Sequence, residues 1–282
     1  MKKFLLLLLL VVVAVVSCSI GRHMGPSQRK DLCIRVVRLD GEILDSRRIL
    51  EKLQDAADDS SVRAVVLRIE SPGGAVGASQ EIYEAVRRLD ERKPVVASIG
   101  NVGASGGYYA ALGARRIWAN PGSITGSIGV ITQFTDIHEL MGKIGVRAEV
   151  VKSGESKDAG SPFRALTDRE KSLFHTMVLD VYAQFRGTVA QRRKVDSAAL
   201  DSLADGRVLT GRQAWKSHLV DSVGGLFEAQ TEAKVLAKLP ADAEVWDDEA
   251  RQPLWRKLLD PEAEGLAQLL PKVGSRVEIR MP

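Results

Sequence analysis

The chain has 282 residues, of which 45% are hydrophobic, 27% charged and 5% aromatic, and its formal net charge is +4. These values are close to those of soluble globular proteins, so they argue against a disordered, fibrous or polytopic membrane protein. Two cysteines are too few for a disulfide-rich scaffold or a four-thiolate zinc site. The four histidines form neither HxxxH nor HExxH, which argues against zinc-dependent hydrolysis. We expect no metal and no cofactor.

The first 18 residues have the pattern of a secretory signal. Two lysines precede an apolar run from Phe4 to Val16, which is shorter than the roughly 20 residues of a membrane-spanning helix. The sequence Val-Val-Ser-Cys that ends at Cys18 resembles the lipobox of bacterial lipoproteins, in which the cysteine is lipidated. Acyl chains on Cys18 would hold the protein at a membrane. The alternative is an uncleaved signal-anchor with an incidental cysteine.

Residues 19–31 contain glycine, proline and several polar residues, and we interpret them as a tether. If Cys18 carries lipid, Cys33 has no partner for an intrachain disulfide. Cleavage before Cys18 would also remove both signal lysines. The remaining positive charge is too small to predict a nucleic-acid partner.

Residues 32–240 alternate between strand and helix patterns. Short apolar or β-branched runs predict strands at Cys33–Val37, Val62–Ile69, Pro94–Ile99, Ile117–Ala119, Ile128–Thr132 and Ala148–Val151. Apolar residues at helical spacing predict helices at Ser46–Asp58, Gln80–Leu89, Ala104–Leu112, Asp136–Ile144 and Thr167–Arg193. This alternation predicts βαβ units, a mainly parallel sheet and the α/β fold class.

Ser105 lies between a predicted strand and a predicted helix, in the sequence Gly-Ala-Ser-Gly-Gly-Tyr-Tyr. At that place it would lie beside unpaired N–H groups and the positive end of the helix dipole. Gly106 and Gly107 leave room for a substrate backbone to approach. These features suit a nucleophile, although a serine in this position can also be a plain helix cap.

The sequence Ser71-Pro72-Gly73-Gly74 follows the strand predicted at Val62–Ile69. Open α/β sheets bind ligands at the carboxyl ends of their strands. Paired glycines there can turn their N–H groups outward and form half of an oxyanion hole. The alternative is an ordinary β-turn, since Pro-Gly is a favoured turn pair.

Lys157 is a candidate general base. A serine hydroxyl is a weak nucleophile until a base takes its proton, and no histidine is expected near Ser105. A lysine with an ordinary pKa of about 10.4 is almost wholly protonated at pH 7, whereas burial can lower its pKa to about 7–8. The alternative is a solvated surface charge.

Four short motifs follow one another along residues 32–240. They read SPGG from Ser71, ASGGY from Ala104, GSIGV from Gly126 and SGESKD from Ser153. In this order and at this spacing they resemble the short, single-domain form of the signal peptide peptidase A family. The resemblance extends over roughly residues 32–238.

This resemblance implies a Clp protease/crotonase-like fold and a Ser-Lys dyad serine peptidase. Ser105 would be the nucleophile, and Lys157 the general base and later the acid for the leaving amine. Ser127 would hydrogen-bond the lysine amine and hold it in line. The backbone N–H groups of Gly74 and Gly106 would receive the oxyanion.

The resemblance also implies partners and a location. Family members of the short form assemble as homo-oligomeric rings in which neighbouring protomers contribute the serine and the lysine. Their substrates are released signal peptides and other membrane or secreted polypeptides. Such substrates suit an enzyme that is tethered through its N-terminus in the bacterial cell envelope, with its catalytic domain outside the cytoplasm. Two other readings stay open at this point: a crotonase-like acyl-CoA enzyme and a catalytically inert membrane scaffold.

The sequence departs from the family pattern at two places. Glu70 stands where the family often has asparagine, and an inward-facing carboxylate would raise the pKa of the lysine and oppose catalysis. Val102-Gly103 replaces the more usual Met-Ala, which affects a specificity pocket. Residues 241–282 form an amphipathic tail with several leucines around Pro261, for which packing against the domain is the plainest role.

Overall fold

The computed structural model describes residues 32–247 and 279–280. The signal, Cys18 and the tether lie outside the described residues, as do residues 248–278 of the predicted tail. Among the helices that are described, none is both long enough and apolar enough to cross a membrane.

The first half of the domain alternates strictly between strand and helix. Its elements are β1 (Cys33–Asp40), α1 (Arg47–Asp58), β2 (Val62–Ser71), α2 (Val76–Arg92), β3 (Val95–Ala104) and α3 (Gly106–Ala111). In α1, residues Ile49, Leu53, Ala56 and Ala57 repeat at helical spacing and are buried. Most of β2 is buried, as expected for a parallel strand covered by helices on both faces.

The second half has shorter strands and one long helix. Its elements are β4 (Arg116–Ala119), β5 (Ile124–Gly126), β6 (Ile131–Thr132), α4 (His138–Lys143), a 3-10 turn (Glu155–Asp158), α5 (Asp168–Arg193), α6 (Ser197–Asp201), β7 (Val208–Thr210), α7 (Gly211–Lys216), β8 (Ser222–Val223), α8 (Leu226–Leu236), β9 (Glu244–Asp247) and β10 (Ile279–Arg280).

Eight strands form one sheet in the order β7-β5-β3-β2-β1-β9, with β4 and β8 branching from β3. All neighbours in this sheet are parallel except β5 and β7. Strand β3 pairs with β4 through Val96–Ile99 and with β5 through Val102–Ala104. The α/β class and the mainly parallel sheet are therefore confirmed. A separate antiparallel pair joins β10 to β6.

Helices cover both faces of the sheet. The larger core cluster packs the sheet against α1, α2, α3 and α5. The smaller cluster contains Ile34, Val36, Ala64, Val66 and Val96 from the sheet, with Ala229 and Ala233 of α8. Helix α5 reaches the larger core through Phe185 and Val189. It also contacts α3, the helix that follows Ser105, because Phe185 packs against Tyr109.

The strand predicted at Ala148–Val151 is not formed, which corrects the sequence-based expectation. Val150 and Val151 are exposed, and within residues 32–247 this segment pairs with no strand. A β-branched run becomes a strand only where a partner accepts its backbone hydrogen bonds. The preceding helix forms over His138–Lys143, and none of its residues is buried.

Candidate active site

Ser105 lies at the junction of β3 and α3 in a strained backbone conformation. Its φ of 52° and ψ of −119° are values that residues other than glycine rarely adopt. Its N–H donates to the carbonyl of Gly126 (2.9 Å), and its carbonyl accepts from the N–H of Tyr109 (2.8 Å). Such a conformation costs about 1–3 kcal/mol and persists because neighbouring structure fixes it, commonly at functional sites.

The Ser105 hydroxyl is buried and has no hydrogen-bond partner among the described residues. The side chain does not cap α3, so the plain helix-cap interpretation is wrong for this serine. A buried hydroxyl without a partner is costly. The arrangement suits a group whose partners are a substrate and a base.

Gly73 and Gly74 bring the end of β2 against the start of α3. A Cβ on Gly73 would lie 2.8 Å from both Gly106 N and Ser105 Cβ. Gly73 has a φ of 105°, and a Cβ on Gly74 would lie 2.2 Å from the carbonyl oxygen of Ile43. Only glycine fits these two positions, because the backbones approach too closely for a side chain.

The N–H groups of Gly74 and Gly106 are the candidate oxyanion donors. Gly74 forms a parallel bridge with Ile43 in which Ile43 N–H donates to Gly73 O and Ala75 N–H donates to Ile43 O. The N–H of Gly74 therefore points away from Ile43. Gly74 N lies 3.3 Å from the position that a Cβ on Gly106 would occupy. Gly106 begins α3, so its N–H has no intrahelical acceptor.

Ser127 lies beside Ser105 at the same edge of the sheet. Ala104 of β3 pairs with Gly126 of β5 in the parallel register. Ser105 and Ser127 directly follow these two residues, so they are neighbours at the ends of the two strands. Ser127 also has a φ of 52° and is buried. Its hydroxyl is 3.3 Å from the carbonyl oxygen of Gly206, and its N–H donates to the carbonyl of Arg207 (2.9 Å). The structure brings together Ser105, Ser127, Gly74 and Gly106.

Lys157 does not join this group within one chain. It lies in the 3-10 turn, and its side chain is exposed. Because the Ser105 hydroxyl has no hydrogen-bond partner within residues 32–247, the Lys157 amine is not in hydrogen-bond contact with it. The serine and the lysine are therefore separate in the single protomer.

An ion-pair network fixes the 3-10 turn to the start of α5. Asp158 pairs with Lys152 (2.6 Å) and Arg164 (3.0 Å). Arg164 also forms a two-pronged pair with Glu170. Glu170 completes a capping box with Thr167 at the helix N-terminus. Lys157 thus lies on a turn that is anchored by its immediate neighbour.

The same network sets the protonation of its carboxylates. Hydrogen bonds from Arg164 and then Lys152 hold the pKa of Asp158 well below its usual range. The Arg164 guanidinium and the Thr167 N–H lower the pKa of Glu170 to about 2. Both groups are anionic at neutral pH, and the network keeps its full charge there.

Sequence reasoning missed the roles of Arg164 and Glu170. The spacing of Thr167 and Glu170 is that of a capping box and signals the helix start. Nothing in the sequence indicates that Arg164 joins Glu170 to Asp158. Among the described residues, no three His, Cys, Asp or Glu side chains are arranged to hold a metal ion.

The chain is similar to several known proteases. Residues 87–240 match the family model described as Peptidase family S49. A candidate protease of Synechocystis sp. is 42% identical over 76% of this chain and 77% of its own length. The chloroplastic serine protease SPPA of Arabidopsis thaliana is 34% identical over 84% of this chain, but over only 34% of its own length. A candidate signal peptide peptidase SppA of Enterococcus faecium is 35% identical over 70% of this chain and 58% of its own length.

Proposed function

Since this chain belongs to peptidase family S49, the signal peptide peptidase A family, and is a serine peptidase, we propose that it cleaves peptide bonds with a Ser105–Lys157 dyad. Ser105 Oγ attacks the carbonyl carbon of the scissile bond while the neutral Lys157 amine takes the hydroxyl proton. Lys157 then gives that proton to the leaving amine as the C–N bond breaks. A water molecule, deprotonated by the same lysine, hydrolyses the acyl-enzyme and restores Ser105.

The observation that carries the proposal is the buried Ser105 hydroxyl without a hydrogen-bond partner. Gly73, Gly74 and Gly106 lie close to it, since a Cβ on Gly73 would be 2.8 Å from both Ser105 Cβ and Gly106 N, and a Cβ on Gly106 would be 3.3 Å from Gly74 N. The N–H groups of Gly74 and Gly106 would receive the negative oxygen of the tetrahedral intermediate. Loss of one such donor typically costs about 10²–10³ in rate.

We further propose that the lysine comes from a second copy of the chain in a homo-oligomeric ring. The exposed position of Lys157 supports this, because it leaves the amine available to a neighbour. The segment before it exposes several apolar side chains, namely Leu140, Ile144, Val146, Val150 and Val151. An exposed apolar patch of this kind is typical of an interaction surface. Contact with a neighbour would also dehydrate the amine and favour its neutral form.

Ser127 is proposed to orient the lysine amine. It neighbours Ser105 in register, at the end of β5, and its backbone has the same positive φ as that of Ser105. A lysine side chain is flexible, so a fixed hydroxyl would confine its amine to the line of attack. Replacement of Ser127 by alanine should therefore lower kcat more than it changes KM.

The proposed substrates are released signal peptides and other membrane-associated polypeptides, which the enzyme would meet in the bacterial cell envelope, outside the cytoplasm. The name of the Enterococcus relative and the secretory pattern before Cys18 support this proposal. Mass spectrometry of the mature protein tests the anchor. We expect an acylated Cys18 at the N-terminus, and a chain that still begins at Met1 would contradict it.

The dyad is tested with a serine-acylating probe and a signal-peptide substrate. Ser105→Ala should abolish labelling and cleavage, and Lys157→Ala should lower both at least about 10³-fold, as loss of a catalytic-unit member does elsewhere. Labelling of the wild type should rise with pH, as expected for a reaction that needs a general base, and Lys157→Ala should lose that rise. Lys171→Ala, an exposed lysine of α5, is the control and should behave as wild type. Wild-type cleavage by either dyad variant would refute the assignment.

A further inference from the structure

The parallel pairing of β2 and β3 is interrupted just before both strands reach the active site. Ile69 pairs with Ile99, but the next pair joins Ser71 to Gly103. Glu70 of β2 therefore lies opposite three residues of β3, at positions 100–102. This bulge coincides with the point at which β3 exchanges its other neighbour, β4, for β5.

The Glu70 carboxylate holds this bulge. One oxygen accepts the backbone N–H of Asn101 at 2.7 Å, and the other accepts from Arg68 Nη2 at 2.6 Å. Arg68 donates in turn to the buried Ser98 hydroxyl at 3.1 Å. Both charged side chains are mostly shielded, with exposures of 15% for Arg68 and 24% for Glu70. A charge-assisted bond to a backbone N–H at such a place is strong and directional.

Because residue 100 is glycine, the Glu70–Arg68 ion pair can lie directly against the backbone of β3. A Cβ at this position would lie 1.7 Å from a Glu70 carboxylate oxygen and 2.2 Å from Arg68 Nη2. The bulge, the glycine and the ion pair thus fit together as one unit. Arg68 also compensates the negative charge of the Glu70 carboxylate locally, so this charge is not left unpaired near the active site.

We propose that Glu70, held by Arg68, is a positioning residue that fixes the Ser105 hydroxyl relative to the oxyanion donors. Glu70 precedes Gly74 by four residues, and Asn101 precedes Ser105 by four residues. One hydrogen bond therefore ties the two chain segments that supply the nucleophile and the Gly74 N–H. This inference rests on the proposed function.

The expected effect follows from how sensitive the attack geometry is to displacement. A shift of about 1 Å at the reacting atoms can cost about 10²-fold in rate. The strained backbone at Ser105 depends on its surroundings for support. Release of Asn101 N–H from Glu70 would loosen the second half of β3, from which Ser105 continues.

Three substitutions of Glu70 separate position from charge. Glu70→Gln removes the charge and replaces the oxygen that faces Arg68 with an NH2 group, but it keeps an oxygen that can accept from Asn101 N–H. Glu70→Asp keeps the charge but is one methylene too short to reach both Asn101 and Arg68. We expect Glu70→Gln to retain kcat within about threefold, while Glu70→Asp and Glu70→Ala lose about 10- to 100-fold with KM nearly unchanged.

The pH dependence of kcat/KM provides the second readout. If Glu70 acts by holding the backbone in position, the kcat/KM profile has its inflection at the same pH in wild type and Glu70→Gln. If it acted through its charge on the lysine, Glu70→Gln would move the inflection to lower pH, and that result would overturn the proposal. Equal kcat in Glu70→Asp and wild type would also overturn it.

Glu84→Ala is the matched control, because Glu84 pairs with Arg87 on the exposed surface of α2 and should leave kcat unchanged. Should Glu70→Ala fail to fold, the comparison of kcat between Glu70→Asp and Glu70→Gln is sufficient to test the role of Glu70. Ser105→Ala is measured in parallel. Cleavage by Ser105→Ala refutes the proposed function, whereas an inactive Ser105→Ala beside a fully active Glu70→Asp refutes only the role of Glu70.

Discussion

At the scale of single residues, two serines at adjacent strand ends share the same unusual φ of 52°. Ser105 and Ser127 are both buried, and each is held by its N–H, which donates to a carbonyl oxygen of Gly126 or Arg207, respectively. Strain that is retained at two adjacent polar residues indicates a function that uses their positions. The glycines opposite them are equally constrained, because Gly74 leaves no space for a Cβ.

Replacement of Gly74 by alanine tests the oxyanion donor. The new Cβ would collide with the Ile43 carbonyl and displace the Gly74 N–H, so kcat should fall about 10²–10³-fold. Gly77→Ala is the control, because a Cβ there meets nothing within 4 Å and alanine suits the helix better than glycine. Steady-state kinetics on a peptide substrate measures both. Equal kcat in the two variants would contradict the role of Gly74.

At the scale of elements, α5 connects the two halves of the proposed site. Its N-terminus holds the turn that bears Lys157 through Arg164 and Glu170. Farther along, Phe185 packs against Tyr109 of α3 with ring centroids 4.9 Å apart, and Thr188 hydrogen-bonds the Tyr109 hydroxyl (3.0 Å). About 26 Å of helix separates Asp168 from Phe185. The helix can therefore keep the proposed base, Lys157, and the proposed nucleophile, Ser105, at a fixed spacing within one protomer.

The ion-pair network at the start of α5 predicts a pH dependence of stability. The pKa of Glu170 is lowered from 4.5 to about 2, so its stabilising contribution is complete above pH 4.5 and is lost as the pH falls through about 2. The free energy of unfolding should thus decrease between pH 5 and pH 2. In Arg164→Leu this decrease should be smaller, because the carboxylate loses its main partner. Urea unfolding at several pH values measures the free energy of unfolding of the wild type and of Arg164→Leu.

Arg87→Leu is the control for this experiment, because Arg87 pairs with Glu84 and Glu91 on the exposed surface of α2 and not with the turn that bears Lys157. Its stability should follow the wild-type pH profile. Arg164→Leu should also lower kcat, since the turn that carries Lys157 loses its anchor. An Arg164→Leu profile that matches wild type would contradict the role of the network.

At the scale of the whole molecule, the domain is a helix-covered parallel sheet of the Clp protease/crotonase-like class. The alternation of strand and helix patterns predicted the α/β class, whereas the Clp protease/crotonase-like fold was implied by the family resemblance of the motifs. The sequence also predicted the long helix, which runs over Asp168–Arg193 and starts with a capping box. The sheet further includes β9 at Glu244–Asp247, in the region assigned to the tail.

Some features depend on contacts that the sequence does not encode locally. The run at 148–151 has a strand composition but pairs with none of the described strands, so it forms no strand and is exposed. The bulge opposite Glu70 requires knowledge of the β2–β3 register. The Arg164 pairs join residues whose spacing has no characteristic motif. Motifs indicated Ser105, Ser127 and the glycines, which the structure brings together, but the residues that support them emerged only from the structure.

The most direct measurement is activity in mixed assemblies of Ser105→Ala and Lys157→Ala. The two variants, carrying different affinity tags, are co-expressed and purified through both tags, so that every assembly contains both. If neighbouring copies supply the serine and the lysine, about a quarter of the sites in a random head-to-tail ring are intact, and activity returns to about that fraction of wild type. If one chain supplied both residues, no site would be intact, and mixed assemblies as inactive as either variant alone would contradict the account.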